Sequence, residues 1–214
     1  MGRREPWGAP RLRGNQEGSL ARELIHDLAP VRTGSQLLMA RVVAFLRGIN
    51  VGGHVVRKED LRNAFATLGF LDVTTYKQSG NVVFETNTTD LEKIRENIER
   101  QLRKLLGFDV AVFVRTLPRL REVAEERSRF RLEEGTSLMV TMLPGSIPGP
   151  FPKLPLTIPK STARIASASG SEIFSLTHGG GEGGLPNQFL ESKLRVKTTT
   201  RNMNAIVEIV QKYG

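Results

Sequence analysis

Arg47, Asn50, Gly52 and Gly53 fall within Leu46-Arg47-Gly48-Ile49-Asn50-Val51-Gly52-Gly53, and they are the residue types that cradle an anion. Arginine offers a planar fork of donors, asparagine both donor and acceptor, and glycine lets main-chain N–H groups come close to a ligand. Further along, Gln78-Ser79-Gly80-Asn81 adds a hydroxyl and two side-chain amides. A third polar run, Thr198-Thr199-Thr200-Arg201-Asn202-Met203-Asn204, enters a predicted helix. Asn202 is suited to cap it, and the free N–H groups of a helix start favour negative charge, which Arg201 would reinforce. The expected site comprises Arg47, Asn50, Gly52, Gly53, Gln78, Ser79, Gly80 and Asn81, with Arg201, Asn202 and Asn204 joining if the last helix packs nearby. Its chemistry is the binding of a phosphate-bearing or otherwise anionic small molecule. An enzyme using the same pocket is the competing class, but no catalytic residue is assigned. Ser79 as a nucleophile needs a base; His54 is the one imidazole close to these loops in sequence, and no carboxylate is placed to orient it.

Several other patterns carry less. His54 follows Gly52-Gly53 where a P-loop needs Lys and Ser or Thr, so this is no Walker loop. Gly179-x-Gly181-x-x-Gly184 fits the dinucleotide fingerprint by letter, yet it lies in a glycine run without the βαβ unit such a fingerprint serves. The chain has no cysteine, and His26, His54 and His178 are scattered, so neither disulfides nor a metal site is expected; the sequence leaves any cofactor unassigned. No apolar stretch approaches the ~18–20 residues of a membrane span, and a cytoplasmic protein without a membrane partner is expected. A net charge of +9 favours anionic partners. That keeps nucleic acid, met by distributed basic surface residues, as a further alternative, while the short cluster Arg127, Arg129 and Arg131 reads as a solvated loop.

The elements that would position these residues are legible from Arg41 onward. Val42–Leu46 reads as a strand, Lys58–Leu68 as a helix stopped by Gly69, and Val73–Tyr76 with Val82–Glu85 as a hairpin. Thr89 and Glu92 form a capping-box pattern ahead of a long helix whose apolar face is Leu91, Ile94, Ile98, Leu102 and Leu105, closed by Gly107. Val110–Val114 is the next strand. The order is βαββαβ, the split unit of ferredoxin-like folds, in which the first and third strands are central, adjacent and antiparallel. That topology brings Arg47–Gly53 against Gln78–Asn81. The first and fourth strands are apolar at consecutive positions, as in strands buried on both faces, so the second half of the chain or a second subunit must cover the face the helices leave. An RNA-recognition module shares the element order, but its sheet face would have to be open and its third strand rich in stacking aromatics. Here that strand is Val82-Val83-Phe84-Glu85.

Past residue 116, Thr116 and Pro118 open a helix to about Glu126, Ser137–Leu143 is a strand, and a proline-rich loop follows up to Pro159. Arg164–Ser169 and Glu172–Thr177 make a hairpin around Gly170, and helices are expected from Pro186 to Leu194 and from Asn202 to Tyr213. Met203, Ile206, Val207 and Val210 are the last helix's buried stripe. No clean internal sequence repeat is visible. Residues 1–38 are rich in Arg and Gly with little apolar patterning, and are expected to be a disordered extension or a start-site artefact, Met39 standing directly before the first strand. The expected division is 1–38, then 39–116 as a ferredoxin-like half, then 117–214 as a second α+β half.

The Leu46–Gly53 loop, Thr75-Tyr76-Lys77-Gln78-Ser79-Gly80-Asn81-Val82-Val83-Phe84 and Thr199-Thr200-Arg201-Asn202-Met203-Asn204, in that order, resemble the domain of unknown function family number 1697, small bacterial proteins. The resemblance implies an α+β fold of two ferredoxin-like (βαββαβ-type) halves packed together, and it implies no reaction. Lys77, Met203 and the segment His54-Val55-Val56 depart from the usual family pattern.

Overall fold

A computed structural model describes residues 39–49, 55–77, 80–149, 151–179 and 186–214. The expected N-terminal extension, and with it the assignment of 1–38, lies outside the described residues. Strand β1 (Ala40–Leu46) is followed by helix α1 (Lys58–Thr67), the hairpin β2 (Leu71–Tyr76) and β3 (Asn81–Thr86), helix α2 (Leu91–Leu106) and strand β4 (Val112–Thr116). They form one four-stranded sheet in the order β2-β3-β1-β4 with every neighbouring pair antiparallel. β1 and β3 are the central pair, in a register that sets Phe45 opposite Asn81.

The chain continues through α3 (Leu117–Glu125), a 3₁₀ turn, β5 (Thr136–Met142), β6 (Leu156–Thr157), β7 (Ala163–Ser169), β8 (Glu172–His178), α4 (Asn187–Leu194), β9 (Thr199–Asn202) and α5 (Met203–Tyr213). The second sheet runs β6-β7-β8-β5-β9, again with antiparallel neighbours. β5 takes the place that β1 holds in the first sheet, β7 and β8 those of β2 and β3, and β9 that of β4. One piece differs: the connection from β5 to β7 holds no helix among its described residues and supplies the short edge strand β6 instead.

Alternate residues of β1 enter two cores. Val42, Ala44 and Leu46 pack with Leu61 and Phe65 of α1 and with Ile94, Ile98 and Leu102 of α2. Val43 and Phe45 pack on the opposite face with Leu117 and Leu120 of α3, Val140 and Met142 of β5, Phe174 of β8, and Met203, Ile206 and Ile209 of α5. The second half of the chain therefore covers the face the first half leaves bare, as the doubly apolar strands require. A third cluster lies under α4, built on Leu143, Ile165, Ile173, Leu190 and Leu194.

Three local expectations need correction. The N-cap of α2 is Asp90, whose carboxylate accepts the Lys93 N–H at 3.0 Å, so the cap falls one residue after Thr89. Leu105 is 48% exposed and Leu106 packs on the core in its place. Thr199–Asn202, read as the approach to the last helix, is the strand β9 paired with β5.

Candidate ligand site

The three polar segments meet at the end of β1. The Leu46 N–H donates to the Gly80 carbonyl at 2.7 Å, which joins the loop after β1 to the β2–β3 turn. Arg201 of β9 reaches into that junction from the other sheet. Its Nη2 donates to the Leu46 carbonyl at 2.9 Å and its Nε to Asn81 Oδ1 at 2.7 Å. Nη1 serves Thr199 Oγ1 and the Thr200 carbonyl, both at 2.9 Å. The guanidinium also lies over the Phe45 ring, 5.6 Å from its centroid. Burial pushes the Arg201 pKa down to about 10, still high enough to keep the charge at neutral pH. Asn81, itself buried, donates its Nδ2 to the Tyr76 carbonyl at 3.2 Å, fixing which way its amide faces.

Arg47 stands at the rim of the junction, its backbone N–H held by the Ala111 carbonyl at 2.9 Å. Nη1 donates to the Thr198 carbonyl at 2.7 Å and Nη2 to Glu191 Oε2 at 3.0 Å. Burial lowers the pKa of this guanidinium too. Behind it runs a polar ladder. Thr198 donates its N–H to Glu191 Oε1 at 2.7 Å, and Thr198 and Thr200 both turn their hydroxyls to Asn187 Oδ1. Thr200 and Thr141 share a hydrogen bond of 2.7 Å between β9 and β5.

Of the residues expected at the site, Arg47, Gly80, Asn81 and Arg201 come together here. Asn50, Gly52, Gly53, Gln78 and Ser79 lie outside the described residues, as does His54. Asn202 is the N-cap of α5, accepting the Asn204 N–H at 2.9 Å, and Asn204 is exposed. Arg201 is turned inward as a clamp between the sheets, away from the helix start it was expected to reinforce. Sequence reasoning missed Glu191 and Asn187, because one carboxylate and one amide in a short helix carry no spacing signal. It also missed Glu208 of α5, which accepts from the Tyr76 hydroxyl and pairs with Lys77 Nζ at 2.6 Å.

The family model for proteins of unknown function (DUF1697) matches residues 39–173. The chain belongs to this family. The DUF1697 match takes in the first two polar segments and stops before β9, so the Arg201 clamp lies beyond it. No curated protein is significantly similar in sequence. A solved structure, that of a conserved bacterial protein from Streptococcus pneumoniae, aligns with a TM-score of 0.56 at 20% identity, over 82% of this chain and 99% of that one. At that identity the likeness shows the fold alone, and it shows it across both sheets of this DUF1697 member. Among the described residues no helix is long and apolar enough to cross a membrane.

Proposed function

We propose that the protein binds a small anionic molecule at the junction of the β1 loop, the β2–β3 turn and β9. The observation that carries this reading is the Arg201 clamp, which ties Leu46 at the end of β1 to Asn81 at the start of β3 although its own segment lies far away in the chain. The apolar cluster packs the two sheets together, and the clamp adds a convergence of polar groups at the end of β1, beside the half-open Arg47. Arg47 is the group that meets the ligand: a third of its side chain, 33%, stays open to solvent while its backbone is pinned. Its planar fork suits an oxyanion.

The test is a thermal-shift screen of the full chain against nucleotides, sugar phosphates, organic acids and short oligonucleotides. A ligand at ~100 times its dissociation constant adds roughly 2.7 kcal/mol of stability, a readily measured shift. Arg47→Ala is expected to abolish that shift while leaving the far-ultraviolet dichroism unchanged. A ligand that binds the variant as well as the parent rejects this site. A nucleic acid held by scattered arginines would instead lose affinity steeply with salt and in small steps with each substitution.

A further inference from the structure

Glu191 already occupies the place where a ligand's charge would go. One of its oxygens takes the Thr198 N–H at 2.7 Å, with the Thr198 hydroxyl further off at 3.5 Å, and the other takes Arg47 Nη2 at 3.0 Å. Arg47 Nη1 closes the ion pair. The frame of this cradle is fixed: Thr198 is fully buried and its carbonyl holds Arg47 in turn. The charged groups are open, with 33% of the Arg47 side chain and 24% of the Glu191 side chain exposed. The pair is half-buried and still reached by solvent, so a carboxylate from solution competes with Glu191 once the advantage of being tethered is met.

A cavity of about 270 Å³ is lined by chain neighbours and bonding partners of the cradle, Ala111 and Lys197, with Phe113, Arg95, Glu99 and Asp109. Two backbone links connect them. The Ala111 carbonyl accepts the Arg47 N–H, and Lys197 directly precedes Thr198. The space has apolar walls at Ala111 and Phe113 for an organic body; its charges are balanced, Arg95 pairing with Glu99 at 2.6 Å and Asp109 lining it too, and Lys197 is the cation next to the cradle in sequence.

We propose that the cradle of Arg47 and Thr198 is a carboxylate-binding subsite, filled from within by Glu191 until a small organic acid displaces it and extends into the cavity beside Ala111 and Lys197. This rests on the reading of the junction as an anion site, and narrows its ligand to a carboxylate. The donors select a planar group: the Arg47 fork reaches both oxygens of one carboxylate, and the Thr198 N–H serves one of the two.

The test titrates the full chain with sodium acetate, and separately with inorganic phosphate, at constant ionic strength, following the melting temperature. Acetate replaces the carboxylate that Glu191→Ala removes. In Glu191→Ala a saturable, acetate-dependent rise is expected, with apparent affinity at least about tenfold above the parent, a difference of 1.4 kcal/mol. Arg47→Ala added to Glu191→Ala is expected to erase it. Should Glu191→Ala not fold, Glu191→Gln decides: its uncharged amide yields to acetate more readily, and affinity equal to the parent overturns the proposal. A folded Glu191→Ala that ignores acetate, prefers phosphate, or responds equally without Arg47 overturns it as well. The broader reading fails separately, through a parent protein in which no anion gives an Arg47-dependent shift. An Arg47-dependent nucleotide response in the parent beside an acetate-silent Glu191→Ala keeps the site and rejects the resident carboxylate.

Discussion

A methyl group on Gly80 would lie 2.9 Å from Ile49 Cγ1 and 3.0 Å from both Ile49 Cδ1 and the Leu46 carbonyl oxygen, at a φ of +68°. Two separate penalties therefore fall on one residue. The left-handed backbone costs an L side chain about 1–2 kcal/mol, and the close contact forces the β1 end to move. That end cannot move freely, because the Leu46 carbonyl also accepts Arg201 Nη2. Gly48 offers an internal comparison, with a φ of +77° and nothing within 4 Å of its would-be Cβ. Gly80→Ala is expected to lose about 2–3 kcal/mol in urea unfolding and to weaken any Arg47-dependent ligand response. Gly48→Ala should show only the backbone penalty of about 1 kcal/mol. Equal losses at the two positions would mean that the turn does not press on the β1 loop as described.

At the scale of elements, α2 shows how a local signal can be right in kind and off by a residue. Thr89 and Glu92 have the capping-box spacing, yet Asp90 does the capping, and the Thr88 hydroxyl accepts the Asp90 N–H at 3.4 Å. Both residues can accept an N–H, and only the path of the chain out of β3 decides which one faces the helix start. Asp90→Ala is expected to cost about 1 kcal/mol of stability and Thr89→Ala little, as chemical denaturation of the two variants would show. A larger loss at Thr89 would restore the capping box. The first sheet was legible because its apolar strands and amphipathic helices lie next to one another in sequence, so periodicity alone orders them. β9 was not legible. Its residues Thr199, Thr200, Arg201 and Asn202 show no apolar alternation, and Asn202 signals the following helix instead. Its strand character comes from pairing with β5, about sixty residues earlier, and its buried hydroxyls are satisfied by Thr141 and Asn187. For the same reason the polar loops could be placed together from sequence, whereas the partners that hold Arg47 and Arg201 could not.

Across the whole molecule the two sheets are joined by more than apolar contact. Glu172 at the start of β8 is 0% exposed and lies between Arg115 of β4 and Arg119 of α3, with both contacts at 2.5 Å. Arg115 also donates to the Leu143 carbonyl at 2.8 Å and the Val114 carbonyl at 2.9 Å, so the buried guanidinium serves both halves. Burial by itself would raise the Glu172 pKa, but the attraction of Arg115 and Arg119 and their hydrogen bonds outweigh it and hold the carboxyl below its usual range. A carboxylate whose pKa is depressed by folding contributes stability that is fully present above its unfolded-state pKa. That contribution is lost as pH falls through the lower folded value. Glu172→Gln leaves two arginines facing a neutral amide, and is expected to cost about 3 kcal/mol at neutral pH, the scale for breaking a buried pair. The cost should not be constant. As pH falls below the unfolded-state value of about 4.3 and on through the lower folded one, the parent's Glu172 takes up a proton and comes to resemble the amide, so the two stability curves should converge. The acid dependence that remains in both belongs to other depressed carboxylates, Glu92 beside Arg95 and Glu208 beside Lys77 and Tyr76. Urea unfolding of parent and variant at a series of pH values reads the gap directly. A gap that stays the same from neutrality to acid would show that Glu172 is not the charge joining the halves, and that the apolar cluster around Phe45, Phe113 and Phe174 holds them alone.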